Sequence, residues 1–439
     1  MDGREILAAA GVLFPDEDGR VLVVRNSYRA KHPIAVPGGG WERADASPRH
    51  TAVREIREEL GVTPVLRELA CLDWSVDHDR PPVAAFLYWA EPLTAEQRAA
   101  VRLEAAELDA MVHLPADLLL SAVPPLLARR MGACLRAPRS AAPLELADGL
   151  PVGHSALHLP PRPAPAYLGA AALAGLLPPG AGREAPAPPM DKQTYYASRP
   201  RIGAKARMLF TDPDGRVLLV RLRPWRGEAP WVLPGGSVEA DRELPRAAAR
   251  REALEELGWR RGPGRLLALD WVTVRPPDPP HLALVYDGGT VGPELLATVR
   301  FQEEELAEWR LFTPREAARV LPAPAARRLA ACLAVRALPR PPGRPSWWTA
   351  RPRSPSPDRD PRTPPPAAPV PPVPSGGSRR VPGPRPGMNR QVAAVSAGAA
   401  RRSGGTGWRG RSSPNLTAAR CARWAAATGC CCTWTTGCC

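Results

Sequence analysis

The chain repeats itself over a long interval, and this limits its folds more than any local signal. Leu13–Arg25 (LFPDEDGRVLVVR) returns as Leu209–Arg221 (LFTDPDGRVLLVR). Val36–Gly39 (VPGG) returns as Leu233–Gly236 (LPGG), and Arg54–Gly61 (REIREELG) as Arg251–Gly258 (REALEELG). Leu72-Asp-Trp74 returns as Leu269-Asp-Trp271, so the offset holds at 196–197 residues through four blocks. Stacked repeat proteins have periods of roughly 20–50 residues. The interval here is long enough for a whole domain, so two similar domains stand in tandem.

Each copy reads as mixed α/β. Asp18-Gly19 and Asp214-Gly215 are tight-turn signals before the β-rich runs Val21–Val24 and Val217–Val220, so each copy is expected to open with a hairpin. Ser47-Pro48 is an N-cap followed by proline at the first helical position, and Gly61 suits the residue after the last turn. Pro245 and Gly258 bracket the same helix in the second copy. Further strands are predicted near Val83–Trp89 and Leu282–Tyr286, with closing helices near Asp117–Leu135 and Pro314–Leu333. Leu144–Gly153 reads as a closing hairpin or strand of the first copy. The expected domains are residues 1–152 and 190–338, joined by a Pro/Ala-rich linker at 153–189. Met190 directly precedes the second copy, where a once separate gene would begin.

Charge separates these domains from the C-terminal stretch of the chain. The formal net charge of the 439-residue chain is +15, but from Arg340 onward 16 arginines face two acids. The first 339 residues are almost neutral, with 43 basic and 42 acidic side chains. A nucleic-acid groove is therefore not expected in the folded part. Residues 339–439 have the Pro, Arg, Ser and Gly content of a disordered tail. Their adjacent cysteines lack zinc-site spacing, and the expected origin of this tail is a frameshifted extension. The alternative is a basic arm for RNA or anionic lipid. Only Cys71, Cys134 and Cys332 precede residue 420, which favours a reducing, cytoplasmic setting over a disulfide framework. No apolar run reaches the ~18 residues of a membrane span, and no signal peptide is expected.

Three glutamates carry the chemistry in each copy. Glu55, Glu58 and Glu59 lie at i, i+3 and i+4, as do Glu252, Glu255 and Glu256, so each trio projects from one helix face. A Glu-rich helix is most often a solvated surface. Here the trio follows Pro-Gly-Gly at fixed distance, precedes a closing glycine, and occurs twice. Crowded carboxylates repel, and a hard divalent cation with oxygen ligands relieves them.

Gly39–Val62 and Gly236–Trp259 resemble the Nudix box: Gly, five residues, Glu, seven residues, then Arg-Glu-apolar-x-Glu-Glu-x-Gly-apolar. The resemblance covers about residues 1–150 and 190–338. It implies two Nudix-type α/β/α sandwiches with mixed sheets, and Mg²⁺-dependent hydrolysis of a diphosphate bond in a nucleotide-type substrate, with Mn²⁺ as a substitute metal. It implies that Glu55, Glu58, Glu59, Glu252, Glu255 and Glu256 bind metal. Arg54 and Arg251 would orient them, and Gly39 and Gly236 would let the backbone approach the site. Both copies have six rather than five residues before the family's Glu position. That position is Glu243 in the second copy and Ala46 in the first, where Asp45 or Glu42 would stand in. The first copy is thus expected to hold Arg54 less firmly, and the second to be the better enzyme.

A general base often lies before the last strand in this family, and Glu107 and Glu305 occupy equivalent places; the plain alternative is a surface or helix-cap role. Trp74 and Trp271 are expected to pack in the core, with stacking on a base or sugar as the sharper reading. Arg25, Arg29, Arg221, Arg223 and Arg226 are weaker phosphate-contact candidates in an arginine-rich chain. Two other functions remain open: a nucleotide-sensing regulatory module, and an isoprenyl diphosphate isomerase using Cys71, for which the second copy has only Ala268. A homo-oligomer is compatible with either.

Overall fold

The computed structural model describes residues 5–338, apart from 28–31, 77–80, 138–141, 179–180, 182–190, 224–230, 240–242, 274–279 and 301–304. Arg29, Met190, Arg226 and the tail at 339–439 lie outside the described residues.

The first copy runs β1 (Glu5–Leu13), β2 (Val21–Asn26), β3 (Ile34–Ala35), β4 (Gly38–Gly40), α1 (Pro48–Leu60), β5 (Leu66–Ser75), β6 (Val83–Ala90), α2 (Ala95–Ala100) and β7 (Leu108–Leu114). It continues through α3 (Ala116–Ala122), α4 (Pro125–Arg136), β8 (Leu144–Ala147) and β9 (Leu150–Pro151). Then come α5 (Gly153–His158), α6 (Ala170–Gly175) and α7 (Lys192–Ser198). The second copy has β10 (Ile202–Thr211), β11 (Val217–Leu222), β12 (Trp231–Val232), β13 (Gly235–Ser237), α8 (Pro245–Leu257), β14 (Leu266–Val272) and β15 (His281–Thr290). It ends with α9 (Pro293–Leu296), β16 (Leu306–Phe312), α10 (Pro314–Val320) and α11 (Ala323–Ala337).

The sheets are mixed, as expected. β1 runs parallel to β6 and antiparallel to β4, and β10 likewise pairs parallel with β15 and antiparallel with β13. The opening hairpins need correcting. Gly19 and Gly215 do turn the chain at φ 76° and 78°. The strands touch only at the turn, however, through Pro15↔Val21 and Thr211↔Val217. β2 then pairs with β7, and β11 with β16, because each needs a partner on its own side of the fold. The closing helices are also each two helices. Pro124 and Pro125 interrupt the first, and Pro322 the second, since proline cannot supply the intrahelical donor.

Alternation along the strands separates two cores. Ile6, Ala8 and Ala10 of β1 pack with Ala52 and Ile56 of α1, while Leu13 packs with Leu127 and Met131 of α4. The first core continues into Ile202, Ala204 and Ala248 of the second copy, and β1 pairs antiparallel with β10 through Glu5↔Gly203 and Ile6↔Ile202. Trp41 meets Trp271 at 5.4 Å between ring centroids. Glu145 of β8 accepts bonds from Tyr286 (2.7 Å) and Arg246 (2.9 Å) of the second copy. The predicted closing hairpin is β8–β9, and it extends the first sheet parallel to β5. Residues 153–175, expected as linker, carry α5 and α6, and Leu159 and Leu173 are buried in the first copy's α4-side core. Among the described residues no helix is long and apolar enough to cross a membrane.

Candidate active site

The glutamate helices form as the sequence predicts. Ser47 accepts the His50 N–H at the start of α1, and Gly61 ends it at φ 71°. Gly258 ends α8 at φ 75°. Both are left-handed C-caps, where glycine avoids a Cβ clash. The helix then leans on the Pro-Gly-Gly strand beside it. Gly38 has φ 140° and Gly235 φ 129°, and a Cβ on either would stand 2.2–2.3 Å from a carbonyl oxygen of the neighbouring strand. A Cβ on Gly39 would lie 2.5–2.7 Å from the Glu55 carboxylate, and one on Gly236 2.4–2.6 Å from that of Glu252. The second glycine therefore makes room for a carboxylate.

One arginine gathers the cluster in each copy. Arg54 donates through Nη1 to Glu55 (2.7 Å) and Glu58 (2.9 Å), and through Nη2 to the Gly40 carbonyl (2.9 Å). Its Nε and Nη2 grip Asp45 as a fork, both at 2.9 Å. Arg251 does the same with Glu252 (2.8 Å), Glu255 (3.0 Å) and the Ser237 carbonyl (3.0 Å). Its fork closes on Glu243 at 2.9 and 3.0 Å.

The expectation that Arg54 is held less firmly is thus overturned. Asp45 replaces the glutamate with a shorter side chain placed one residue earlier. It is buried, and Thr51 Oγ1 also donates to it at 2.9 Å. Burial alone would raise the Asp45 carboxyl, but the bonds and charge of Arg54 prevail and hold it below the usual range. The Glu42 alternative is not used: its backbone N–H donates to Asp45 at 3.1 Å, without its side chain taking the fork. Bidentate guanidinium–carboxylate pairs are among the stronger protein hydrogen bonds.

The last glutamate of each trio points inward. Glu59 accepts the Gly38 N–H (2.8 Å) and Glu256 the Gly235 N–H (2.6 Å). Burial, then the charge of Glu55, pushes Glu59 well above the ordinary carboxylate range. Burial raises Glu256 to about 7, against the Gly235 N–H and the positive charge of Arg207. Glu252 is also raised, by burial first, with Arg251 opposing.

The candidate bases differ in setting. Glu107 immediately precedes β7 and Glu305 immediately precedes β16, and their carbonyls accept equivalent bonds, Ser27 N–H to Glu107 at 2.8 Å and Arg223 N–H to Glu305 at 2.7 Å. Glu107 is buried and its charge reaches Glu59. Glu305 is exposed and its charge reaches Glu252 and Glu256. Trp74 is buried in the shared core, as expected, and Trp271 packs on Trp41. Arg25 and Arg221 are engaged by Asp109 and Glu308, and Arg223 donates to the Leu306 carbonyl. Cys71 is buried beside Cys134, which raises its thiol well above the ordinary range and leaves it poorly suited to act as a nucleophile.

Sequence reasoning missed Arg207, which no motif marks. It projects from β10, opposite Gly235, and donates to the carbonyls of Leu233 and of Gly235 (2.8 Å). Gly11 holds its place opposite Gly38 in the first copy.

The donor set fits a divalent cation. Its side chains are all carboxylates, and burial and neighbouring glutamates disfavour the ionised form of Glu59, Glu252 and Glu256, as expected of a cluster needing a positive charge. Among the described residues no three acidic, histidine or cysteine side chains converge as ligands, and the arginine contacts two of each trio. A pH dependence follows. Glu256 keeps its proton to about 7 when folded, against 4.5 ordinarily. The folded state is then the better proton binder between those values. Its contribution favours folding at pH 5 and is lost as the pH rises through 7. In chelator-treated protein, wild type is expected to lose up to about 3 kcal/mol relative to Glu256→Gln between pH 5 and 8. Urea unfolding at both pH values checks this, and added divalent cation should restore the loss.

The NUDIX domain family model matches residues 6–131 and 202–334. No curated protein matches the chain. Among solved structures, the chain is similar to a MutT protein from Methanosarcina mazei Go1, with 24% identity, 31% of this chain and 95% of that one covered, and a TM-score of 0.27. It is similar to a MutT NUDIX hydrolase from Burkholderia pseudomallei, with 23% identity, 29% and 95% covered, and a TM-score of 0.25. An ADP-ribose pyrophosphatase from Streptococcus suis 89-1591 has 20% identity, 32% and 98% covered, and a TM-score of 0.25.

Proposed function

Because the chain belongs to the NUDIX domain family, hydrolases of phosphorus-containing anhydrides that use divalent metals, we propose that it hydrolyses the diphosphate bond of a nucleoside-diphosphate-linked substrate with Mg²⁺. The observation that carries this reading is the duplicated arginine fork, with the same three glutamates around it in both copies. A solvated Glu-rich face would not need such a device.

Glu55, Glu58 and Glu59 would hold the cation in the first copy, and Glu252, Glu255 and Glu256 in the second. When bound, the cation neutralises diphosphate oxygens and acidifies a water. Arg54 and Arg251 keep two carboxylates of each trio in register, with Asp45 and Glu243 fixing the guanidinium from behind. The Gly38 and Gly235 N–H groups fix the third carboxylate. Glu305 would receive the proton of the attacking water, and Glu107 holds the equivalent place in the first copy. Attack at phosphorus forms one P–O bond and breaks the bridging one.

The test is a panel of nucleoside-diphosphate compounds incubated with the full chain and Mg²⁺, with products resolved by chromatography. The expected result is a nucleoside monophosphate and a phosphorylated second product from at least one compound. Chelation should abolish their release and Mg²⁺ restore it. Products that form equally in chelator would overturn the reading.

A further inference from the structure

The two copies differ on the sheet face opposite the glutamate helix. Ile6, Ala8 and Ala10 of β1 face α1, so Leu7 and Ala9 point the other way. They line up with Val83 and Ala85 of β6. These four apolar residues are covered by Tyr195 and Tyr196 of α7, which are themselves buried at 3% and 6% exposure. The Tyr195 and Tyr196 rings lie 5.3 Å apart, and Arg199 sits 4.9 Å over Tyr195. Asp191 caps the helix, accepting from Gln193 N–H (2.9 Å) and Thr194 N–H (3.0 Å).

The register against Pro-Gly-Gly identifies the same four places in the second copy. Ala9 pairs with Gly40 as Lys205 pairs with Ser237, and Ala10 with Gly39 as Ala206 with Gly236. Leu7, Ala9, Val83 and Ala85 therefore correspond to Gly203, Lys205, His281 and Ala283. Three of these four, Gly203, Lys205 and His281, are part-exposed rather than buried. A Cβ on Gly203 would meet only His281, at 3.4 Å.

Charge changes with the cover. Arg207 stands where the first copy has Gly11, and its charge reaches Glu256 and Glu252. The face thus borders the carboxylate cluster. His281 is pushed down to about 4, by burial first and then by Lys205, Arg328 and Arg207. Asp270 opposes them, and it is already engaged by Arg328 at 2.8 Å. Burial disfavours any charge there, but the positive charges of Lys205, Arg328 and Arg207 around His281 would attract an anion.

Resting on the hydrolase reading above, we propose that substrate binding is confined to the second copy. Its face of Gly203, Lys205, Arg207 and His281 takes the anionic phosphates of a nucleoside diphosphate, while Tyr195 and Tyr196 close the corresponding face of the first copy.

The test titrates α,β-methylene-ADP, whose P–C–P bridge resists hydrolysis, into the full chain with Mg²⁺ by calorimetry. One molecule per chain is expected, with affinity falling at least tenfold in Lys205→Ala and further in Lys205→Glu. Hydrogen exchange should show the ligand protecting β10 and β15 but not β1 and β6. Two molecules per chain, none at all, protection of β1 and β6, or a Lys205→Ala affinity within twofold of wild type would each overturn the proposal. If the ligand binds as expected while no compound is cleaved, the hydrolase reading fails and the binding assignment stands. If compounds are cleaved but binding ignores Lys205, only the assignment falls.

Discussion

Glu256→Gln, made in a chain whose first copy is already silenced by Glu59→Gln, is expected to lower diphosphate cleavage by about 10²–10³-fold. The figure is several kcal/mol of transition-state stabilisation. Glutamine keeps the size of the side chain and still offers an oxygen to the Gly235 N–H, which the glutamate meets at 2.6 Å. It removes the charge a cation would meet. It also removes a buried acid that burial pushes to about 7, so the variant should be at least as stable as wild type near neutral pH without metal. Lost activity together with retained or raised stability would separate a chemical role from a structural one. The paired single variants then apportion turnover. If the second copy alone binds substrate, Glu59→Gln should leave kcat close to wild type and Glu256→Gln should carry nearly the whole loss. Equal losses from the two singles would mean that both copies turn over.

How much of this could be read from the chain depends on the range of the interaction. The glutamate helices were legible because Ser47, Pro48, Gly61 and the i, i+3, i+4 spacing act within a few turns, and they appear as read. The Asp45 fork was only half legible. The motif's glutamate position falls on Ala46 in the first copy, and a short loop can rotate a neighbouring carboxylate into place with no change in pattern. The opening hairpins were misread because Asp-Gly reports the turn but not which sheet edge the second strand finds; β7 and β16 follow β2 and β11 by more than 80 residues. Arg207 and the Tyr195–Tyr196 cover were invisible for a similar reason. A lone arginine in an arginine-rich chain, and two tyrosines beside a presumed linker, take their meaning from strands that only the fold brings beside them.

The same contrast of cover and exposure sets the largest expected effect on stability. Asp73 and Asp270 occupy equivalent places in the fourth repeated block, and each pairs with an arginine of its copy's last long helix. Arg130 and Asp73 are 1% and 0% exposed, and Asp73 also accepts the Gly149 N–H at 2.8 Å, which fixes the β8–β9 turn. Asp73→Ala would strand a buried guanidinium and orphan that N–H. The expected cost is about 3–5 kcal/mol, the range for breaking one side of a buried pair. In the second copy Asp270 is 43% exposed, so water competes for the charge. Asp270→Ala should cost about 1 kcal/mol or less. Urea unfolding of the two variants checks the difference, and comparable losses would mean that the two pairs are not the buried and solvated versions of one contact. The Asp270 variant has a second consequence. It removes the acid that opposes Lys205, Arg207 and Arg328 around His281. Its affinity for α,β-methylene-ADP should rise even as its stability slips, whereas Asp73→Ala should leave that affinity unchanged wherever the protein remains folded.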